Sequence, residues 1–334
     1  MSSPSALAST SALLLDAAAA AAGLQQYPPA CLYVLATPIG NFADLSLRAI
    51  HVLTQLDVLA CEDTRVTAPL LQRLGLSIPL MAVHEHNEAE AADRVIGLLR
   101  QGKRVGFASD AGTPAVSDPG ARLVAAVRMA GLRIMPLPGA SSVSTVLSAA
   151  GAWRQGAGAD AGAEGYRFAG FMPAKGTVRA QAVARAVAEP AACVLFEAPH
   201  RIRTLADELA AEQARQGCSR LVTIGRELTK QFEQIETLAV AELPGWLAVE
   251  PDRSRGEFAL VLHPIPLAPE DAQEQGELEA QRWLQRLLPL LPLRQAVDLV
   301  AEALPAPRKR VYQLALALRE AEENAAADEG AEAG

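Results

Sequence analysis

From Leu32 onward, short apolar runs alternate with stretches in which apolar residues recur at helical spacing. The short runs are almost continuously apolar, which is typical of strands buried on both faces of a parallel sheet. Between them lie stretches such as 88–100, where Val95 and Leu99 fall on one helical face. This alternation predicts an α/β fold with helices on both faces of a mostly parallel sheet. The strands predicted for the first half are 32–36, 58–61, 78–83, 104–108 and 133–137.

The second half resumes this alternation after a Gly- and Ala-rich stretch at 154–165, which we expect to be a mobile loop. Its β-type runs predict a second sheet, for which we expect mixed topology, and prolines break the helical pattern that follows into short pieces. We therefore predict a disordered Ala-rich extension (1–29), an N-terminal α/β lobe (30–139), a C-terminal α/β lobe (140–266), a small helical region (270–320) and a disordered acidic tail (321–334).

Charge and composition exclude few classes of partner. The net charge of −8 argues against nucleic acid, but six of these charges come from residues 320–334, which contain no Lys or Arg. The rest of the chain is close to neutral, so a local basic surface that attracts nucleic acid is compatible with the sequence.

The cysteine pattern and the apolar runs point to a cytoplasmic protein. The four cysteines are far apart and form no CxxC pair, which favours free buried thiols in a reducing compartment. No apolar run approaches the roughly 18 residues that cross a bilayer, and no basic residue precedes Leu13–Leu15 as it would in a secretory signal. We expect a cytoplasmic location and no membrane partner.

Three loops rich in small residues follow predicted strands, at 37–41, 109–120 and 138–142. In open α/β sheets, ligands bind beyond the carboxyl ends of the strands, and small residues let a ligand approach the backbone closely. Asp110 adds a charged acceptor, which suits a ligand with hydroxyl and amino groups. No loop matches GxGxxG or GxxxxGK[ST], which counts against a nicotinamide-dependent oxidoreductase and a nucleotide hydrolase.

The motifs LATPIGN (35–41), CEDTR (61–65), SDAGTP (109–114), LPGASS (137–142), FEAPHR (196–201) and GRELTK (225–230) occur in this order. In this combination the chain resembles the tetrapyrrole methylase superfamily over 31–264, and within it the enzymes that 2′-O-methylate a cytidine in the decoding region of 16S rRNA. The resemblance implies two α/β lobes with S-adenosylmethionine in the cleft between them, a homodimer, and 16S rRNA within the small ribosomal subunit as the partner.

Carried over by motif, the resemblance implies a cofactor site at the three loops and on the second lobe. Asp110 would offer its carboxylate to the positive end of the cofactor. The helix-capping or turn role that an Asp in such a loop often has is the alternative. The implied cofactor-binding residues are Pro38, Gly40, Asp110, Ala111, Gly112, Thr113, Ser141, Ser142 and Phe196.

The catalytic and RNA-binding residues follow less directly. Removal of the hydroxyl proton calls for a base, for which Glu62, Asp63, His84 and His86 are the candidates at strand ends. Methyl transfer can also proceed by positioning alone. A metal is not expected, because two histidines at i, i+2 lack a clear third ligand. The candidates for holding RNA phosphates are basic residues in or beside the loops, namely Arg65, Lys175, Arg201, Arg226 and Lys230. The alternative for each of them is a solvated surface charge.

Two other functions stay open on the sequence. A tetrapyrrole C-methyltransferase would use the same cofactor, although such relatives carry a glycine-richer first loop than the TPIGN at 37–41. A non-catalytic RNA-binding module for ribosome assembly would keep the fold without using the cofactor, and S-adenosylmethionine would then not raise its melting temperature.

Overall fold

The computed structural model describes residues 4–84, 87–117, 120–152, 165–265, 269–304 and 307–319. It contains two five-stranded sheets with packed helices, followed by a C-terminal helical region. This is the predicted α/β architecture. In the part of the chain that is described, no helix is both long and apolar enough to span a membrane.

The first sheet is entirely parallel, with strand order β3-β2-β4-β1-β5. Its strands are β1 (Cys31–Leu35), β2 (Val58–Cys61), β3 (Leu80–Ala82), β4 (Arg104–Ala108) and β5 (Arg133–Leu137). The helices of this half are α1 (Pro4–Ala22), α2 (Leu47–Leu53), α3 (Thr64–Arg73), α4 (Glu88–Arg100) and α5 (Ala121–Met129), and the next helix, α6 (Ser142–Ala150), packs on the second sheet. Buried side chains lie on both faces of the sheet, among them Tyr33 and Leu35 on one and Leu32 and Phe107 on the other.

The second sheet is mixed, with order β6-β7-β10-β8-β9, and only β6 and β7 are parallel to each other. Its strands are β6 (Tyr166–Phe171), β7 (Ala192–Glu197), β8 (Leu221–Arg226), β9 (Gln234–Ala239) and β10 (Phe258–Leu262). The helices α7 (Gly176–Ala188), α8 (Ile202–Gln216) and α9 (Leu243–Val249) belong to this half. Side chains of α7, α8 and α9 pack on one face, whereas α6 contributes Val143 and Val146 to the cluster on the other.

The C-terminal region has its own small core. It consists of α10 (Pro269–Leu287), α11 (Leu293–Ala303) and a last helical segment at 308–319. Leu284, Val297 and Val311 contribute one buried side chain from each piece, so the three helices pack around a shared apolar centre. The prolines that interrupt the sequence pattern lie between the helices, as expected for a residue that cannot continue a helix.

The prediction of disorder for residues 1–29 is wrong for 4–22, which form α1. Ala18 and Ala22 are buried in the same apolar cluster as Ile50 and Val52 of α2, and small alanines allow two helices to approach closely. The error came from treating an Ala-rich composition as low complexity, although Ala has the highest helix propensity. The acidic tail at 321–334 and most of the expected loop at 154–165 lie outside the described residues.

Candidate active site between the lobes

The three small-residue loops meet beyond the carboxyl ends of β1, β4 and β5, which are neighbours in the parallel sheet. Thr37 and Gly112 each donate a backbone N–H to the other's carbonyl oxygen, at 2.9 and 3.0 Å. The hydroxyl of Thr113 donates to the carbonyl oxygen of Ala140 at 3.0 Å. These bonds join the first loop to the second and the second to the third, so the loops form one fixed surface.

A cavity of 370 Å³ lies between this surface and the second lobe. From the second lobe it is lined by Phe171, Leu228 and Ala259 among others. Its volume is within the range of about 300–1,000 Å³ that is typical of small-molecule sites. Six of the predicted cofactor-binding residues line it: Ala111, Gly112, Thr113, Ser141, Ser142 and Phe196.

The walls of this first cavity fit a ligand that approaches the backbone on one side and an aromatic surface on the other. Gly112 has a φ of +82°, and a Cβ built on it would come within 3.2 Å of Ile39 Cγ2. A larger residue would therefore be strained and crowded. Phe196 meets Phe168 and Phe171 edge to face, with centroids 5.1 and 5.4 Å apart. The first cavity thus offers close backbone contact and an apolar aromatic wall for an adenosyl group.

The remaining predicted cofactor residues, Pro38, Gly40 and Asp110, line a second cavity of 320 Å³. The two cavities are adjacent, because Asp110 lines the second and its chain neighbour Ala111 lines the first. The predicted cofactor set is therefore divided between two spaces that share the 37–40 and 109–113 segments as a wall.

Asp110 is held in place at this wall. Its Oδ1 accepts the backbone N–H of Asp63 at 3.0 Å, and its own N–H donates to Glu62 Oε2 at 3.4 Å. Burial raises the pKa of the Asp110 carboxyl above its ordinary value, although the hydrogen bond from Asp63 opposes this shift. Oδ1 accepts this hydrogen bond, and Oδ2 accepts none among the described residues. Asp110 is not the N-cap of α3 or of α5, whose N-caps are Asp63 and Gly120.

Of the predicted catalytic residues, Glu62, Asp63 and His84 line neither of the two cavities. Asp63 is the N-cap of α3 and accepts hydrogen bonds from the backbone and guanidinium of Arg65, which lower its pKa to about 2. Such a carboxylate is a weak base at neutral pH. His84 is exposed, and His86 lies outside the described residues. Among the described residues, no group of three or more His, Cys, Asp or Glu side chains is arranged to hold a metal ion.

The predicted RNA-binding residues lie in different environments. Arg65 and Lys175 are exposed, and Arg65 pairs with Asp63 at 2.6 Å. Lys230 bridges Glu227 and Glu257 at 2.9 and 3.0 Å. Arg201 and Arg226 are also bound to other groups of the protein. The guanidinium of Arg201 pairs with the carboxylate of Glu197 at 2.6 Å. Arg226 is 9% exposed and donates to the carbonyl oxygens of Arg255 and Phe232 at 2.7 and 3.1 Å. This geometry argues against a phosphate contact by Arg226.

Two features of the site were not predicted. Glu197 lines the first cavity and is fully buried, where Arg179 and Arg201 neutralise it at 2.8 and 2.6 Å. The second feature is Arg73, whose guanidinium stacks on the ring of Phe42 with 3.9 Å to its centroid, in the second cavity. Glu197 belongs to the FEAPHR motif (196–201). No spacing in the sequence links it to Arg179, because their approach depends on the packing of α7 against β7.

Comparisons with known proteins agree with this architecture. The family described as Tetrapyrrole (Corrin/Porphyrin) Methylases matches residues 31–244. The family described as RsmI C-terminal HTH domain matches residues 274–319, which include α11 and the last helical segment. A solved structure titled as a cobalt precorrin-4 methyltransferase has a TM-score of 0.51 and 18% identity, covering 70% of this chain and 94% of its own. This likeness shows the fold alone.

Curated relatives are more similar in sequence. Ribosomal RNA small subunit methyltransferase I of Neisseria meningitidis serogroup A is 43% identical over 85% of this chain and 92% of its own length. The proteins of the same name from Escherichia coli O157:H7 and Pseudomonas aeruginosa are 39% and 41% identical over 85% of this chain and 94% and 96% of their own lengths. The chain therefore belongs to the ribosomal RNA small subunit methyltransferase I family of tetrapyrrole methylases.

Proposed function

We propose that this protein transfers a methyl group from S-adenosylmethionine to the ribose 2′-oxygen of a cytidine in the decoding region of 16S rRNA. The observation that carries this proposal is the first cavity, formed between two lobes of a methyltransferase fold and lined by six of the residues that the family resemblance implies for the cofactor. The names of the relatives, at 36–43% identity, support ribosomal RNA of the small subunit as the substrate.

The residues of the first cavity would hold the cofactor from both lobes. The backbone at Ala111–Thr113 and the start of α6 at Ser142 would contact its polar groups, and Phe196 its adenine ring. When bound, S-adenosylmethionine supplies an electrophilic methyl group on a positively charged sulfur. Asp110, at the shared wall, would offer carboxylate charge to this positive end, and this is why we retain it in the cofactor set with Pro38 and Gly40.

The acceptor hydroxyl must lose its proton, and Glu62, Asp63, His84 and His86 remain our candidates. General base catalysis contributes typically about 10²–10⁴-fold. Of these residues, Glu62 contacts the backbone of Asp110 and so lies beside the shared wall. Arg65, exposed at the same end of the sheet, supports an RNA contact there, as Lys175 does on the second lobe.

The test is methylation of small ribosomal subunits and of free 16S rRNA, each from a strain that lacks the endogenous enzyme, with labelled S-adenosylmethionine. Label in a cytidine 2′-O-methyl nucleoside is the expected result. Label transferred instead to a tetrapyrrole would establish the alternative acceptor. Failure of S-adenosylmethionine to raise the melting temperature would favour the non-catalytic RNA-binding module.

The resemblance also implies a homodimer, and the cysteine pattern and the apolar runs favour a cytoplasmic location; we propose both for this protein. Light scattering of the purified chain should give twice the mass of 35.1 kDa. Fractionation should place the protein with the ribosomal subunits rather than with membranes.

A further inference from the structure

We propose that the second cavity receives the acceptor nucleotide, whose base packs against a platform formed by Phe42 and Arg73. This inference rests on the proposed function and specifies where its RNA substrate binds. Sequence-specific recognition of RNA targets unstacked nucleotides, and proteins replace the lost stacking with aromatic rings or the plane of an arginine guanidinium.

The position of the second cavity is the first argument. It lies within the first lobe and shares with the cofactor cavity the wall made of 37–40 and 109–113. Reacting atoms have to come within about 3–3.5 Å for efficient transfer. An acceptor in the space next to the cofactor would meet this condition by reaching past Asp110 and Ala111, which lie on the shared wall.

The second argument is the chemistry of the cavity wall. Arg73 is exposed and its guanidinium lies over the ring of Phe42. Arg73 makes no hydrogen bond or ion pair within the described ranges. The two side chains therefore offer a base a guanidinium and an aromatic ring, with a full positive charge. Val66 and Pro69 extend the apolar part of this wall.

The third argument is charge complementarity, which favours RNA over the cofactor as the occupant of the second cavity. The arginines beside the first cavity are neutralised, since Arg179 and Arg201 pair with Glu197 and Arg179 also pairs with Glu208. Arg73 lines the second cavity together with Asp110, has no carboxylate partner among the described residues, and would itself repel the positive sulfur of the cofactor. It would attract the polyanionic RNA backbone, which makes RNA the occupant that the wall favours.

The test compares Arg73→Ala, Arg73→Lys and Phe42→Leu with the wild type, and uses Arg100→Ala, an exposed arginine at the end of α4, as the matched control. For each, KM for small subunits is measured by methyl transfer and Kd for S-adenosylmethionine by calorimetry. Loss of one base-stacking contact by alanine substitution costs about five- to a hundredfold in affinity, so we expect KM to rise about tenfold in Arg73→Ala. Arg73→Lys keeps the charge but not the plane and should recover only part of this loss.

Three outcomes decide between the interpretations. An unchanged KM in Arg73→Ala and Phe42→Leu overturns the inference. A loss of cofactor affinity as large as the rise in KM also overturns it, because the second cavity would then belong to the cofactor. If the wild type transfers no methyl group to RNA, the proposed function fails. The inference is then judged by anisotropy of a single-stranded decoding-region oligonucleotide, whose Kd should still rise in Arg73→Ala and not in Arg100→Ala.

Discussion

Arg220 is a buried cation, and its replacement gives the sharpest test of how the second lobe is stabilised. The side chain is 2% exposed and makes no ion pair among the described residues. Its guanidinium instead donates to carbonyl oxygens at both ends of one loop and at the end of β10. The acceptors are Ala186, Val187, Glu189, Ala191, Leu262 and His263, at 2.6–3.3 Å. Because Ala186 and Val187 belong to the last turn of α7, Arg220 also satisfies helix carbonyls that have no partner within the helix.

The expected cost of Arg220→Met follows from these contacts. Methionine fills similar space but donates no hydrogen bond, so six carbonyl oxygens would compete for water at a buried site. A buried acceptor left unpaired costs about 1–3 kcal/mol. The wild type pays several kcal/mol to desolvate the guanidinium, and the variant recovers this part. The unpaired acceptors outweigh this recovery, and we expect a net loss of about 1–3 kcal/mol in the free energy of unfolding.

The assay is equilibrium unfolding in urea followed by fluorescence of Trp246, which packs against the core of the second lobe. The control is Arg215→Met, the same substitution on an arginine whose side chain is 68% exposed and paired with Glu212. Exposed pairs are worth about 0–1 kcal/mol, so this variant should unfold almost as the wild type does. An Arg220→Met variant that loses less than about 1 kcal/mol, like the control, would refute the argument from unpaired carbonyls.

Three further predictions address the site and the pH dependence. Asp110→Asn should weaken S-adenosylmethionine binding, measured by calorimetry, about tenfold or more, because it removes a charge at a partly buried site. An unchanged affinity would remove Asp110 from the cofactor set. Gly40→Ala should lower the melting temperature, because the new Cβ would meet the Lys230 side chain. The control Gly97→Ala has open space on α4 and should stabilise the protein by about 0.5–1 kcal/mol. Equal effects of the two substitutions on the melting temperature would contradict the close approach at Gly40. Burial lowers the pKa of His263 below its ordinary 6.5. As the pH drops, the unfolded chain therefore binds this proton before the folded chain does, and the free energy of unfolding should fall below pH 6.5. An equal fall in the free energy of unfolding of His263→Gln between about pH 7.5 and 5.5 would contradict this assignment.

Much of the first lobe could be predicted because its strands are continuous apolar runs. The predicted ranges 104–108 and 133–137 coincide with β4 and β5, and 88–100 with α4. The three loops were predicted for the same reason, since the end of a buried run indicates where the chain leaves the sheet. The start of α3 at Thr64 is harder to predict from the apolar pattern. Its first turn is polar, and only the side chain of Asp63, which caps it, marks the true beginning.

The roles of the loop residues are a different problem, because a role depends on the side of the wall that a residue faces. Asp110 and Ala111 are adjacent in the sequence, yet they line different cavities. The backbone pairing of Thr37 with Gly112 fixes this division, and no periodicity can predict a single bridge between loops 75 residues apart. Motif resemblance assigned Pro38, Gly40 and Asp110 to the cofactor together with Gly112 and Ser142, because all five belong to the three loops. In space, Pro38, Gly40 and Asp110 line the second cavity. A residue on such a wall can contact both ligands, so cofactor affinity and RNA affinity must be measured separately for each variant.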